Sequence, residues 1–247
     1  MKFKAIILIL SSNDNPIYEK FKELHYIYLK NYYPIIKFFF IEFNNDIECD
    51  ILEKDNYIYV KGIESINPGM IIKTCRAIEY INTRYNYEFL VRTNLSTLFN
   101  MMNLLEYLSI IPTDNACGGF GYRSFITGTC IVLSKDITFK IVENVYKYDI
   151  ITYNEDIVIS AVLNKLETPY FNCNKYYKWC ILQDVKTEEH DDYYFILTNG
   201  EYNNNIIYPE NILNFRIKNS SNRNVDIDYF KLLLFKLYNI SQNNYLL

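Results

Sequence analysis

Tyr87-Glu88-Phe89-Leu90-Val91-Arg92-Thr93-Asn94-Leu95-Ser96-Thr97 runs from an apolar segment straight into a polar Arg-Thr-Asn-x-Ser tip. Residues Tyr87 to Val91 predict a strand, and the tip marks where that strand leaves its sheet. The chain upstream decides what kind of sheet it is. Lys4 to Leu10 is a short Ile-rich run closed by Ser11-Ser12-Asn13-Asp14, as a buried strand would be. Asn15-Pro16 supplies an N-cap and a first-turn proline, and Ile17, Phe21, Leu24 and Tyr28 follow at helical spacing. Ile35 to Phe43 is a second apolar strand. This β-α-β opening predicts a parallel sheet with a crossover helix.

The same punctuation recurs downstream. Tyr57 to Val60 reads as a strand, and Asn67-Pro68 as the opening of a helix whose inner face is Ile71, Cys75, Ile78 and Ile81 or Asn82. A helix around Met101 to Ile110 is stopped by Pro112. Gly118-Gly119-Phe120-Gly121 concentrates three of the seven glycines and suggests a tight turn, a bulge or a close backbone approach to a ligand. Gly128 to Ser134 reads as a strand, with Ser134 capping a helix from Asp136. Asn154 reads as the cap of a helix that begins Glu155-Asp156. Beyond Pro169 come short Tyr-rich segments. An amphipathic helix around Ile227, Phe230, Leu233, Leu234 and Leu237 follows, expected to pack on the domain rather than on a membrane.

Composition narrows the class. The chain has 247 residues, 50% of them hydrophobic and 17% aromatic, which suits a substantial core and argues against disorder. Its 25 tyrosines against 7 glycines and 6 prolines fit an AT-rich source. A net charge of −4 and a pI near 5.4 argue against non-specific nucleic-acid binding, which needs a basic face. Six cysteines form no CxxC pair and read as free thiols of a reducing compartment. Ala5 to Leu10 is too short to span a bilayer and reads as a strand rather than a signal peptide, and no stretch reaches about 18 apolar residues.

Four ordered features resemble the galactosyltransferase and fringe-like branch of the GT-A glycosyltransferases, and most nearly glycosyltransferases encoded by large DNA viruses. They are Ile72-Lys73-Thr74, the tip at 92–96, Gly128-Thr129-x-x-x-Leu133-Ser134-x-Asp136, and Glu155-Asp156-Ile157. The resemblance covers roughly residues 1–170, about the core of one domain, with 171–247 as a C-terminal extension. It implies an α/β GT-A fold, a mixed, mainly parallel sheet flanked by helices. It also implies transfer of a sugar from a nucleotide-diphosphate donor, UDP-linked, to a hydroxyl of a glycan or protein, with inversion. A virus-encoded enzyme of this kind would work in the host cytoplasm or the virion.

The resemblance also assigns roles. Asp156 is the expected base, with Glu155 the lesser candidate; both also read simply as acids favoured in a first helical turn. At the place of the family's Asp-x-Asp metal motif stand Asn94 and Ser96. A divalent Mn or Mg cofactor is therefore in question, with Asn94, Ser96 and a late His190 as its ligands. Lys73, Arg92 and Arg123 are cations able to replace a metal. Together with Thr93, Asn94, Ser96, Gly118 and Gly119 they make the expected donor-binding set. A solvated side chain or a structural salt bridge is the alternative for each cation. His25 falls in the first helix's pattern and reads as structural. The rival reading of the whole is a catalytically silent module that binds a nucleotide sugar or glycan on the same fold.

Overall fold

The computed structural model describes residues 1–122, 124–186, 191–219 and 221–240. Strand β1 (Lys2–Leu10) leads through α1 (Pro16–Leu29) to β2 (Ile36–Phe43), then β3 (Ile51–Lys54), β4 (Tyr57–Val60), α2 (Gly69–Arg84) and β5 (Asn86–Asn94). Next come β6 (Thr97–Phe99), α3 (Met101–Ile110), β7 (Cys117–Tyr122), β8 (Phe125–Ser134), α4 (Lys135–Asn144) and α5 (Glu155–Lys165). The last elements are β9 (Tyr170–Asn172), β10 (Lys178–Gln183), β11 (Tyr193–Leu197), β12 (Ile212–Ile217) and α6 (Arg223–Tyr238). Eight strands form a mixed sheet in the order β3-β4-β2-β1-β5-β8-β7-β9, and four form a second sheet, β11-β10-β12-β6. The block β4-β2-β1-β5 is parallel, as the β-α-β opening predicts, and β3 and β8 run against it.

Strand β1 is buried on both faces, which is why it reads as a continuous apolar run. Ile7 and Ile9 pack with Ile17, Phe21 and Leu24 of α1 on one face. Ile6 and Leu8 pack with Ile71, Cys75 and Ile78 of α2 on the other. The chain therefore leaves β1 for β2 over one face and returns from β4 to β5 over the opposite one. The strand order reverses between β1 and β5, and in open α/β sheets the crevice outside the carboxyl ends at such a point is where ligands bind. Leu10 lies opposite Asn94 there.

Past the tip, β6 leaves the large sheet and pairs antiparallel with β12, Arg216 opposite Thr97. The Ile217 N–H donates to the Ser96 carbonyl at 2.9 Å. Helix α6 closes the far side: Phe230 is fully buried, edge-on to Phe21 at 5.6 Å and to His25 at 5.1 Å. Its apolar side is thus buried against the protein, and among the described residues no helix is long and apolar enough to cross a membrane. The six cysteines are unpaired, five of them buried and Cys49 exposed.

Several local expectations need correction. Helix α2 starts at Gly69, and its N–H is held by the Ser65 hydroxyl at 3.1 Å rather than by Asn67. Ser134 occupies the N-cap position of α4, which starts at Lys135, but its hydroxyl donates to Asp136 and accepts from the Ala116 N–H rather than from a helix N–H. Asn154 occupies the N-cap position of α5 without a capping hydrogen bond. The glycine run is strand β7, its pairing with β8 irregular between Gly119 and Gly121. At Gly119, φ is +134° and a Cβ would collide with the Cys130 carbonyl, so only glycine fits.

Candidate functional site

Residues two apart on a strand share a face, and on β5 Arg92 and Asn94 both point towards α5. Arg92 is 3% exposed. Its Nε donates to Glu155 Oε1 at 3.1 Å, and its Nη2 forms a short ion pair with Glu155 Oε2. Its Nη1 donates to Asn94 Oδ1 at 3.0 Å and to the Gly128 carbonyl. A Cβ at residue 128 would collide with that same nitrogen, which accounts for the glycine. Glu155 also accepts from the Thr74 hydroxyl of α2 at 2.6 Å. Both Glu155 oxygens are therefore engaged inside the protein. Asp156, the next residue, is only partly buried. Its Oδ2 accepts from the Gly128 N–H at 3.1 Å and its Oδ1 from the Ile157 N–H at 3.0 Å. One residue, Gly128, thus couples Arg92 to Asp156, its carbonyl accepting from the arginine and its N–H donating to the aspartate.

An open cleft of about 750 Å³ lies at the switch point, walled by the segment after β1, by Glu64, Ser65, Ile66 and Met70, by Lys73 and the Asn94–Ser96 tip, and by Arg216, Lys218, Asn219 and Arg223. Asp156 stands outside its lining and joins it through Gly128, Arg92 and Asn94. Lys73 lies beneath the floor, 3% exposed, donating to the Ser11 carbonyl at 2.6 Å and to both Glu64 oxygens at 2.8 and 2.7 Å. Ser11 in turn donates to the buried Glu42, which pairs with the buried Lys22 of α1 at 2.5 Å. This chain of buried charges fixes the carboxyl end of β1 from both faces of the sheet.

The other expected residues distribute as follows. Thr93 is fully buried and donates to the Thr129 carbonyl at 2.8 Å. Gly118 and Gly119 lie in β7, outside the cleft lining, crowded by Tyr107 and Cys130. His25 donates from Nε2 to the Leu95 carbonyl at 2.7 Å, so a buried ring anchors the tip from below; burial pushes its pKa down to about 4. Arg123 and His190 lie outside the described residues.

The described residues do not fit a divalent cation at the tip. Asn94 Oδ1 accepts from Arg92, and Ser96 Oγ accepts from Arg216 Nη1 at 2.6 Å. Each neutral oxygen already faces a guanidinium, whereas Mg²⁺ or Mn²⁺ needs anionic or free carbonyl oxygens. Among the described residues, no group of three or more His, Cys, Asp or Glu is placed to hold a metal. Arg216, Lys218 and Arg223 are the site residues that motif reading missed. Their signal was a mostly apolar stretch, Ile212 to Lys218, carrying basic residues two apart at 216 and 218.

No protein-family model matches this sequence, and no curated protein matches it. Among solved structures, the chain is similar to a glycosyltransferase involved in glycosylation of the major capsid of PBCV-1, with a TM-score of 0.52 at 13% identity, over 92% of this chain and 99% of that one. The galactosyltransferase LgtC, solved with donor and acceptor sugar analogues, gives 0.49 at 11% identity over 96% of this chain and 98% of its own. The apo-form glycosyltransferase GlyE of Streptococcus pneumoniae TIGR4 gives 0.42 at 12% over 70% and 46%. The mixed sheet flanked by helices is of the GT-A type.

Proposed function

We propose that this chain transfers a sugar from a nucleotide-diphosphate donor, UDP-linked, to a hydroxyl of a glycan or protein acceptor, with inversion. The observation that carries this reading is the cation-walled cleft at the carboxyl ends of β1 and β5, with a half-buried carboxylate joined to it through Gly128, Arg92 and Asn94. The GT-A type of the fold is consistent with it. In the proposed reaction Asp156 takes the proton of the acceptor hydroxyl as its oxygen attacks the anomeric carbon, and the bond to the diphosphate oxygen breaks. General-base assistance of this kind contributes on the order of 10²–10⁴-fold. The Gly128 N–H orients the Asp156 carboxylate, and Arg92, locked by Glu155, holds the Gly128 carbonyl and so that residue in place. Six unpaired thiols suit work in a reducing compartment such as the cytoplasm.

Calorimetric titration with UDP, GDP and their sugars, with donor hydrolysis followed in parallel, tests the reading. Nucleotide binding with slow hydrolysis of the donor supports a transferase. Binding with no turnover on any acceptor would favour a silent module, and no binding of any nucleotide would end the proposal.

A further inference from the structure

Four cations line the cleft, Lys73, Arg216, Lys218 and Arg223, against two carboxylates, Asp14 and Glu64. Glu64 is engaged with Lys73 through both oxygens. Arg223, the first residue of α6, lies 2.6 Å from Asp226. No carboxylate among the described residues lies within ion-pair distance of Arg216 or Lys218, and the Arg216 guanidinium has only the Ser96 hydroxyl. The wall is crowded with like charge. Burial, and then the neighbouring Arg223 and Arg92, hold the Arg216 pKa down to about 10. Lys218 is likewise lowered, by partial burial and then by Arg216 and Arg223. Backbone geometry keeps these groups together: Ile217 N–H is bonded to Ser96 and Lys218 N–H to the Leu182 carbonyl at 2.8 Å.

Resting on the transferase reading above, we propose that Arg216, Lys218 and Arg223 clamp the donor's diphosphate in place of a metal ion, so that donor binding is metal-independent. A planar guanidinium fork and an ammonium point charge match phosphate oxygens directly. As the bond to the anomeric carbon breaks, negative charge gathers on the departing diphosphate, and pre-positioned cations stabilise it where it develops. The same guanidinium that faces this ligand holds Ser96, so the tip residue that in the resembling family belongs to an acidic metal motif here orients a cation.

The test is calorimetric binding of UDP, inorganic diphosphate and uridine to the full chain, in EDTA and in Mn²⁺. Expected is UDP and diphosphate binding in EDTA that Mn²⁺ alters by less than about two-fold. Arg216→Gln and Lys218→Ala should each weaken UDP at least about ten-fold, the scale of a lost charge-assisted hydrogen bond, and leave uridine unchanged. Lys218 is exposed, so its replacement leaves the fold intact, and Arg216→Lys should recover part of the affinity lost in Arg216→Gln. UDP binding that requires Mn²⁺ and ignores both substitutions overturns the clamp while leaving the transferase reading standing. Failure of the wild-type chain to bind any nucleotide in either buffer overturns both.

Discussion

At Glu155 and Asp156 two carboxylates one residue apart meet opposite surroundings. Glu155 is 1% exposed and accepts from Thr74 and Arg92, while Asp156 is half-buried and, among the described residues, accepts only from peptide N–H groups. Removing one partner of a buried pair leaves a lone buried charge and costs about 3–5 kcal/mol. Glu155→Gln is therefore expected to lose stability on that scale in urea denaturation, and a loss under about 1 kcal/mol would show that Arg92 needs no counter-charge. Asp156→Asn should instead abolish sugar transfer while UDP affinity stays within a few-fold; near-wild-type turnover would remove Asp156 from the mechanism. The sequence pattern brings the two acids to notice as a pair but cannot divide their labour. That depends on Arg92, 63 positions earlier, reaching across from β5, and no local pattern encodes such a contact.

Elements with strong periodicity or clear punctuation were legible in the chain: β1, α1 with its Asn15 cap, β4, α3 and the buried face of α2 follow from residue spacing alone. Short strands were not. β3 alternates half-buried and exposed residues and has its register from β4, while β6 is three residues long and exists because β12 pairs with it. The cationic wall was lost with them, since Arg216 acquires meaning only once β12 is laid against the tip. Helix α6 shows how such long-range docking is held. Phe230 is fully buried between Phe21 and His25, and its truncation to Ala should cost about 3–5 kcal/mol. Because the same ring packs on the histidine that anchors Leu95, Phe230→Ala should also weaken UDP binding at the tip. A variant as stable as wild type would mean that α6 is not docked through this residue.

For the molecule as a whole, two buried groups pull stability in opposite directions over one pH range. Burial lowers the His25 pKa from 6.5 to about 4, so between these values the unfolded chain binds a proton that the native chain refuses. Stability from this group is full above about pH 6.5 and declines as pH falls towards 4, by roughly 3 kcal/mol in total. Burial raises Asp226 to about 6, against a weaker opposing pull from Arg223, so the native chain takes up a proton first and gains stability as pH falls through the same window. Asp184, held near 2 chiefly by the Ser221 hydroxyl, contributes above its ordinary value near 4 and loses that contribution only on further acidification. Wild-type stability is accordingly expected to change little between pH 6.5 and 4.5 on account of His25 and Asp226. His25→Gln, which keeps a donor for Leu95 but cannot titrate, unmasks Asp226. Relative to wild type it should become progressively more stable as pH drops from 7 to 4.5, whereas Asp226→Asn should drift the other way. Urea midpoints of the three proteins across that range measure both slopes, and a His25→Gln difference that stays constant with pH would show that the ring is not held neutral by its burial.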